Sequence, residues 1–246
     1  MELIVPRDGE SNIDLVTRCG GWYECPKDGN GKRLGPLVGY AARYDGDHQW
    51  VGDVYVNFAK VERHLSVLDH FAARLGLMMC THGGLNHRAT VFCGLPMGGL
   101  ALAQALARVM SHEYIFLEKE VVTLKTNITR EKARLIIGRH EVEAGSRIIL
   151  VEDVANNWST TADAVNCITE AGGRVVAIAC FLNRSLDVED VFQSSVGPLP
   201  VVALVRHKIM EYKQDDPAVA QDVADGNVVW KPKSREGWAR LQATRK

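Results

Sequence analysis

Arg147-Ile-Ile-Leu-Val-Glu152-Asp153-Val-Ala-Asn-Asn-Trp-Ser159-Thr160-Thr161 is the stretch that decides the fold. Its first five residues, 147–151, are a compact apolar run of the kind a parallel sheet buries on both faces. Two adjacent carboxylates follow, then a short loop, then a hydroxyl-rich start to Ser159–Ala171, which reads as a helix stopped by Gly172-Gly173. Paired carboxylates at a strand end can accept hydrogen bonds from vicinal hydroxyls or hold Mg²⁺ through oxygen. Ser159, Thr160 and the backbone N–H groups after them stand where a helix N-terminus binds phosphate. A Ser or Thr there is also an ordinary helix cap. The ordered combination therefore carries the reading, and no single residue does.

The same alternation of short apolar run and amphipathic segment extends outward on both sides. Val54–Phe58 reads as a strand, and Val61, Leu65, Leu68, Ala72 and Leu75 recur at helical spacing. Thr81-His82-Gly83-Gly84 reads as a turn, and Ala89–Cys93 as a buried strand ending at Gly94. Gly98-Gly99 then opens an Ala/Leu-rich helix over Leu100–Met110, and Tyr114–Leu117 is a further strand. Glu118–Glu143 is charged and mixed, a hairpin or mobile loop with Leu135–Ile137 as a strand. Val175–Leu182 and Pro200–Val205 complete the series. The pattern predicts an α/β protein whose parallel central sheet is covered by helices on both faces. Ligands in such sheets bind beyond the carboxyl ends of the strands. Gly94-Leu-Pro-Met-Gly98-Gly99 lies at one of those ends, and its glycines let backbone N–H groups approach an anion.

Composition narrows the function classes. The 246 residues are 46% hydrophobic and 24% charged, enough apolar surface for a packed core. Lys plus Arg is 29 against 30 Asp plus Glu, so the basic excess of a nucleic-acid binder is missing. No apolar run approaches the roughly 20 residues of a membrane helix. Met1–Asp8 lacks a basic start followed by an apolar stretch. The expectation is a cytoplasmic protein without membrane or nucleic-acid partners. Its six cysteines include no C-x-x-C pair and read as reduced thiols.

Together, the acidic pair, the loop behind it and the Gly94–Gly99 turn resemble the type I phosphoribosyltransferases, and within them the orotate-specific branch, over roughly residues 39–185. The resemblance implies transfer of ribose 5-phosphate from phosphoribosyl pyrophosphate to a nucleobase, with an orotate-like acceptor and pyrophosphate released, a step of pyrimidine nucleotide metabolism. It implies that Glu152 and Asp153 hold the ribose hydroxyls. Mg²⁺ would be held mainly through the substrate, with the same two carboxylates as candidate protein ligands. Gly98 and Gly99 would meet the pyrophosphate. Asn156, Asn157, Ser159, Thr160 and Thr161 would line the 5′-phosphate and base, and Lys119 would approach the leaving group. Arg184, in Asn183-Arg184 at a strand end, would orient the acidic base. Arg43 and Tyr55 would belong to a hood that covers the base. The resemblance further implies a small N-terminal hood over 1–60, a core over 61–205, and an extension over 206–246 that packs on the core or at a homodimer interface. Arg206, His207, Lys208 and Lys213 begin that extension as a basic cluster, suited to a dimer contact or a surface helix.

Two departures from the family pattern bear on turnover. Trp158 stands where the phosphate loop usually has glycine, and Asn156 where it has threonine. The basic catalytic loop is replaced by Phe116–Leu124, in which Lys119 matches one lysine while Glu118, Val122 and Leu124 replace other basic positions. Lys125, Arg130, Lys132 and Arg134 are nearby substitutes. A second reading follows from these changes: a non-catalytic homologue that binds nucleotide or phosphoribosyl pyrophosphate as a regulator.

Overall fold

The computed structural model describes residues 3–81, 85, 91–123, 132–185 and 190–244. In chain order its elements begin with α1 (Asn12–Arg18), β1 (Trp22–Glu24), β2 (Leu37–Arg43), β3 (Gln49–Gly52), β4 (Val54–Val56), α2 (Leu65–Thr81), β5 (Val91–Gly94) and α3 (Gly99–Met110). They continue with β6 (Glu113–Phe116), β7 (Glu118–Thr123), β8 (Lys132–Ile136), β9 (Arg147–Ala155), α4 (Ser159–Glu170) and β10 (Arg174–Asn183). The last are β11 (Val191–Ser194), β12 (Gly197–Arg206), α5 (Ala220–Ala224), β13 (Val228–Val229) and α6 (Arg235–Ala243). Two compact units result, one from Met1–Asn12 and Glu62–His207, the other from Ile13–Val61 and Lys208–Lys246. Among the described residues no helix is long and apolar enough to cross a membrane. All six cysteines are free.

The first unit is built on a six-stranded sheet in the order β11-β12-β10-β9-β5-β6. Every neighbouring pair is parallel except β11 with β12. The strands are near-continuously apolar because helices cover both faces. Val91, Cys93, Ile148, Leu150, Ile178 and Cys180 share one face with Ala164, Val165 and Ile168 of α4. On the other face Phe181 meets Phe71 of α2 at 4.7 Å between ring centroids. The chain leaves β5 through α3 to β6 on one side, whereas β9, β10 and β12 add on the other. The strand order therefore reverses between β5 and β9, the place where an open α/β sheet leaves a crevice at the carboxyl ends of its strands.

The second unit joins segments from the two ends of the chain. β13 pairs parallel with β2, so residues of the C-terminal extension complete the sheet β13-β2-β3. Leu37, Val51, Val219 and Val228 form its core, with Tyr212 and Val223 packed on them. Arg33 ties the segments further, bonding Asp53 at 2.6 Å and Asp222 at 3.2 Å. Of residues 206–246, set apart in the sequence as an extension, Lys208–Lys246 cluster with Ile13–Val61, whereas Arg206 and His207 belong to the first unit. No helix forms over 207–219; Tyr212 there makes a β-bridge to Val51 instead.

Other elements differ in detail from the sequence expectation. β9 does not stop at Val151 but runs through the acidic pair to Ala155, because β10 continues to pair with it as far as Asn183↔Ala155. β7 and β8 pair antiparallel, and their charges pair mutually: Arg134 with Glu120 at 2.6 Å, and beyond β8 Arg139 with Glu118 at 3.3 Å. Lys125 and Arg130 lie outside the described residues, as do His82–Gly84 of the expected turn and residues 89–90 of the expected strand. The side chain of Lys132 is likewise not described. α1 and β11 have no counterpart in the sequence expectation.

Candidate functional site

The crevice between β5 and β9 collects most of the residues singled out in the sequence. Pairing of β5 with β9 ends at Gly94↔Val151. Glu152 and Asp153 therefore stand one step past the end of β5, held on their other side by β10 through Cys180↔Glu152. The chain after β5 turns back over them. Leu95 N–H donates to the Val151 carbonyl at 2.9 Å, and α3 starts at Gly99. A Cβ on Gly98 would overlap the Asp153 carboxyl group, and one on Gly99 would overlap the Val151 carbonyl. At Gly99, where the obstacle is backbone, only glycine permits this approach of loop to strand. Gly98 and Gly99 are thereby brought against the acidic pair.

Glu152 and the start of α4 are tied together. Thr161 is fully buried and donates its hydroxyl to Glu152 Oε2 at 3.0 Å. Thr161, expected from the sequence to line the phosphate, thus also supports Glu152. Desolvation, reinforced by the neighbouring charge of Asp153, pushes the Glu152 carboxyl up to about 8, against the opposing Thr161 bond and the Lys119 charge. Lys119, exposed on β7, acts on Glu152 through its charge.

The loop from Asn156 to Thr160 is organised by its own side chains. Asn157 Oδ1 accepts from the Ser159 N–H at 3.2 Å and from the Ser159 hydroxyl at 2.9 Å, capping α4 from one residue earlier than a standard cap. Trp158 is left-handed, with φ 61° and ψ 8°, a conformation that costs a side-chain-bearing residue ~1–2 kcal/mol. Its indole packs on Phe192 at 5.2 Å and on the apolar cluster beneath α4. The position thus keeps the backbone geometry that glycine adopts freely, and the large side chain is stowed on the sheet. The first-turn N–H groups of α4 have no intrahelical acceptor by construction. Thr160 and Asn156 are half-buried beside them.

Arg184 follows β10 and is 7% exposed. Its N–H bonds the Ala155 carbonyl at 2.9 Å, which seats it beside the end of β9. Asn183 Oδ1 accepts from the N–H and the hydroxyl of Ser185, closing the turn that holds Arg184 in place.

Arg43 and Tyr55 belong to the second unit. The Arg43 guanidinium bonds the Asp47 carbonyl within the turn joining β2 and β3. Tyr55 on β4 packs against Trp238 of α6 at 6.1 Å.

Glu62, at the start of the first unit's main segment, was not singled out in the sequence. Burial, with a contribution from the Asp153 charge, raises its carboxyl above the ordinary range, so it stands close enough to sense the acidic pair. A lone Glu before a helix carries no signal of that approach. Among the described residues no group of three His, Cys, Asp or Glu is arranged to hold a metal ion.

No family model matches the chain. Sequence comparison finds orotate phosphoribosyltransferase 2 of Mesorhizobium japonicum, 28% identical over 122 residues, which cover 50% of this chain and 55% of the relative. The match thus spans little more than half the length of that curated relative. Orotate phosphoribosyltransferase of Bartonella henselae is 25% identical over 181 residues, covering 74% of this chain and 83% of the relative. Among solved structures, orotate phosphoribosyltransferase from Aeropyrum pernix superposes with a TM-score of 0.50 at 17% identity, covering 79% of this chain and 92% of that one. The doubly wound sheet, with the acidic pair and the glycine turn at its switch point, has a fold similar to that of the type I phosphoribosyltransferases. Its sequence resembles the orotate phosphoribosyltransferases.

Proposed function

We propose that the chain binds phosphoribosyl pyrophosphate at the β5–β9 switch point and transfers its ribose 5-phosphate to orotate or a similar carboxylate-bearing base, releasing pyrophosphate. The observation that carries this reading is the closure of Gly98 onto Asp153 with Glu152 braced by Thr161. It brings the glycine turn, two adjacent carboxyls and the start of α4 to one crevice, and on this reading they meet the pyrophosphate, the ribose and the 5′-phosphate. The curated relatives' activity supports the same reading.

Each residue then has a task. Glu152 and Asp153 accept hydrogen bonds from the ribose hydroxyls and face the positive charge that builds on the ring as the bond to pyrophosphate lengthens. Ser159, Thr160 and the first N–H groups of α4 hold the 5′-phosphate. The N–H groups around Gly98 and Gly99 meet the departing pyrophosphate. Lys119 adds positive charge on the open side. Arg184, seated by Asn183 and Ser185, offers a planar fork to the base carboxylate. No covalent intermediate with the protein is required, so positioning supplies most of the acceleration.

The donor set suits Mg²⁺ only as a shared ligand. Two adjacent carboxyls without a third match a cation that keeps its waters and substrate oxygens. Glu152 and Asp153 would be its protein contacts, and the ion would neutralise charge on the pyrophosphate when bound.

The ion-paired strands β7 and β8 favour a second reading, a protein that binds the same ligand without turnover. There Arg134 and Arg139 are engaged by Glu120 and Glu118. Orotate-dependent pyrophosphate release separates the two: release is expected, and binding without release supports the second. In the first case Arg184→Lys should weaken use of orotate about ten- to a hundredfold, the scale of a lost charged fork. A neutral base should be unaffected; an equal effect on both would remove Arg184 from the base site. The same reading assigns a homodimer, with a sedimentation mass of twice the 27.2 kDa of one chain.

A further inference from the structure

At the opposite end of the central sheet, two strands that should be paired are not. Pairing of β10 with β12 starts only at Ile178↔Val201, although both strands begin earlier. In that register Ala177 would face Pro200 and Val175 would face Pro198. The Val201 N–H donates to the Asp190 carbonyl at 2.7 Å, toward β11. Alternation along the strand then aims positions 198 and 200 at β10. Proline has no N–H to give there, so two ladder bonds cannot form. A bulge at Val176, between its neighbours' pairings with β9, shifts the register on the other side of β10. The result is a cavity of about 380 Å³ lined by both prolines, Val176 and Leu85.

Two arginines stand at its mouth. Arg147 and Arg174 begin β9 and β10 and are direct register partners. Like charges on adjacent strands repel. Among the described residues the Arg174 guanidinium forms no ion pair, and the side chain is exposed. We propose that this opening is a second binding site, for an organic anion whose acidic head meets Arg147 and Arg174 and whose apolar or aromatic body enters the gap between β10 and β12. Arg174, exposed and without an ion pair among the described residues, is the leading donor to a carboxylate, sulfonate or phosphate, and Arg147 adds positive charge beside it. The volume falls in the range of small-molecule pockets.

The test uses 1-anilinonaphthalene-8-sulfonate on the full chain, with neutral N-phenyl-1-naphthylamine as its uncharged counterpart. Saturable fluorescence enhancement is expected, about tenfold tighter for the sulfonate, the scale of a charge-assisted pair. Arg147→Gln with Arg174→Gln should abolish that preference. Should the double variant fail to fold, Arg174→Glu alone, at an exposed position, should lower sulfonate affinity by at least as much. Saturating phosphoribosyl pyrophosphate should leave the signal in place, which keeps this site separate from the crevice at the other end. Equal binding of both dyes, unchanged affinity in the arginine variants, displacement by phosphoribosyl pyrophosphate, or no saturable binding would each overturn the proposal.

Discussion

The Thr161 hydroxyl donates to Glu152 Oε2 at 3.0 Å, joining the first turn of α4 to the acidic end of β9. Two parts of the crevice that come from separate elements are thus held as one. Thr161→Val keeps the shape of the side chain and removes the donor. A desolvated carboxyl oxygen loses its partner, at a cost of ~1–3 kcal/mol. Urea denaturation at pH 7 should show a loss of that size, and no loss would mean the bond does not brace the site.

The same carboxyl makes stability depend on pH. Burial raises Glu152 from 4.5 to about 8 in the folded chain. Below about pH 4.5 both folded and unfolded chains carry the proton, and its full contribution is present. As pH rises toward 8 the unfolded chain releases the proton first, so the contribution is lost progressively. Glu152→Gln fixes the neutral form. Its melting temperature relative to the unaltered chain should rise steadily between pH 5 and pH 8.5. A constant difference across that range would show that Glu152 titrates normally.

Gly98→Ala separates ligand binding from folding. Gly98 sits in ordinary right-handed backbone, φ −71°, so alanine meets no backbone strain. The added Cβ collides with the end of the Asp153 side chain, which can rotate away. The variant should melt within a few degrees of the unaltered chain. Its affinity for phosphoribosyl pyrophosphate should fall at least about tenfold, the scale of one missing hydrogen bond to a charged group. Undiminished affinity would place the ligand elsewhere.

At Trp158 two effects oppose. Glycine would relieve about 1–2 kcal/mol of left-handed strain. It would also forfeit the packing on Phe192 and the apolar cluster, where burying about half an indole, on the order of 100 Å² at ~25 cal/mol/Å², is worth about 2.5 kcal/mol before the ring pair adds ~0.5–1.5. Packing wins, so Trp158→Gly should lower stability by about 1–3 kcal/mol in equilibrium unfolding. A stabilised variant would show that the strain dominates.

The sheet core was legible because buried parallel strands write themselves as apolar runs. Ile148–Val151 and Val175–Leu182 are each bounded by a charge or glycine, and Gly172, with φ +87°, marks the end of α4. The acidic pair and the glycine turn were legible for the same reason, since both directly follow such runs. What could not be read depends on partners distant in the chain. β13 is two residues long and exists only because Leu37 and Val38 lie beside it. The approach of Glu62 to Asp153 is likewise tertiary, as is the bond from Thr161 to Glu152. Pro198 and Pro200 were in plain view, but which way they face follows from the bond made by Val201.

The central claim is that phosphoribosyl pyrophosphate binds at the β5–β9 crevice through the acidic pair. Isothermal titration calorimetry of phosphoribosyl pyrophosphate with Mg²⁺ tests it most directly, on the unaltered chain and on Glu152→Ala combined with Asp153→Ala, both checked as folded by circular dichroism. The account predicts saturable binding at one site per chain, weakened at least about tenfold in the double variant, the scale of lost hydrogen bonds to charged groups. Equal affinity in the two proteins, or no binding to the unaltered chain, would contradict it.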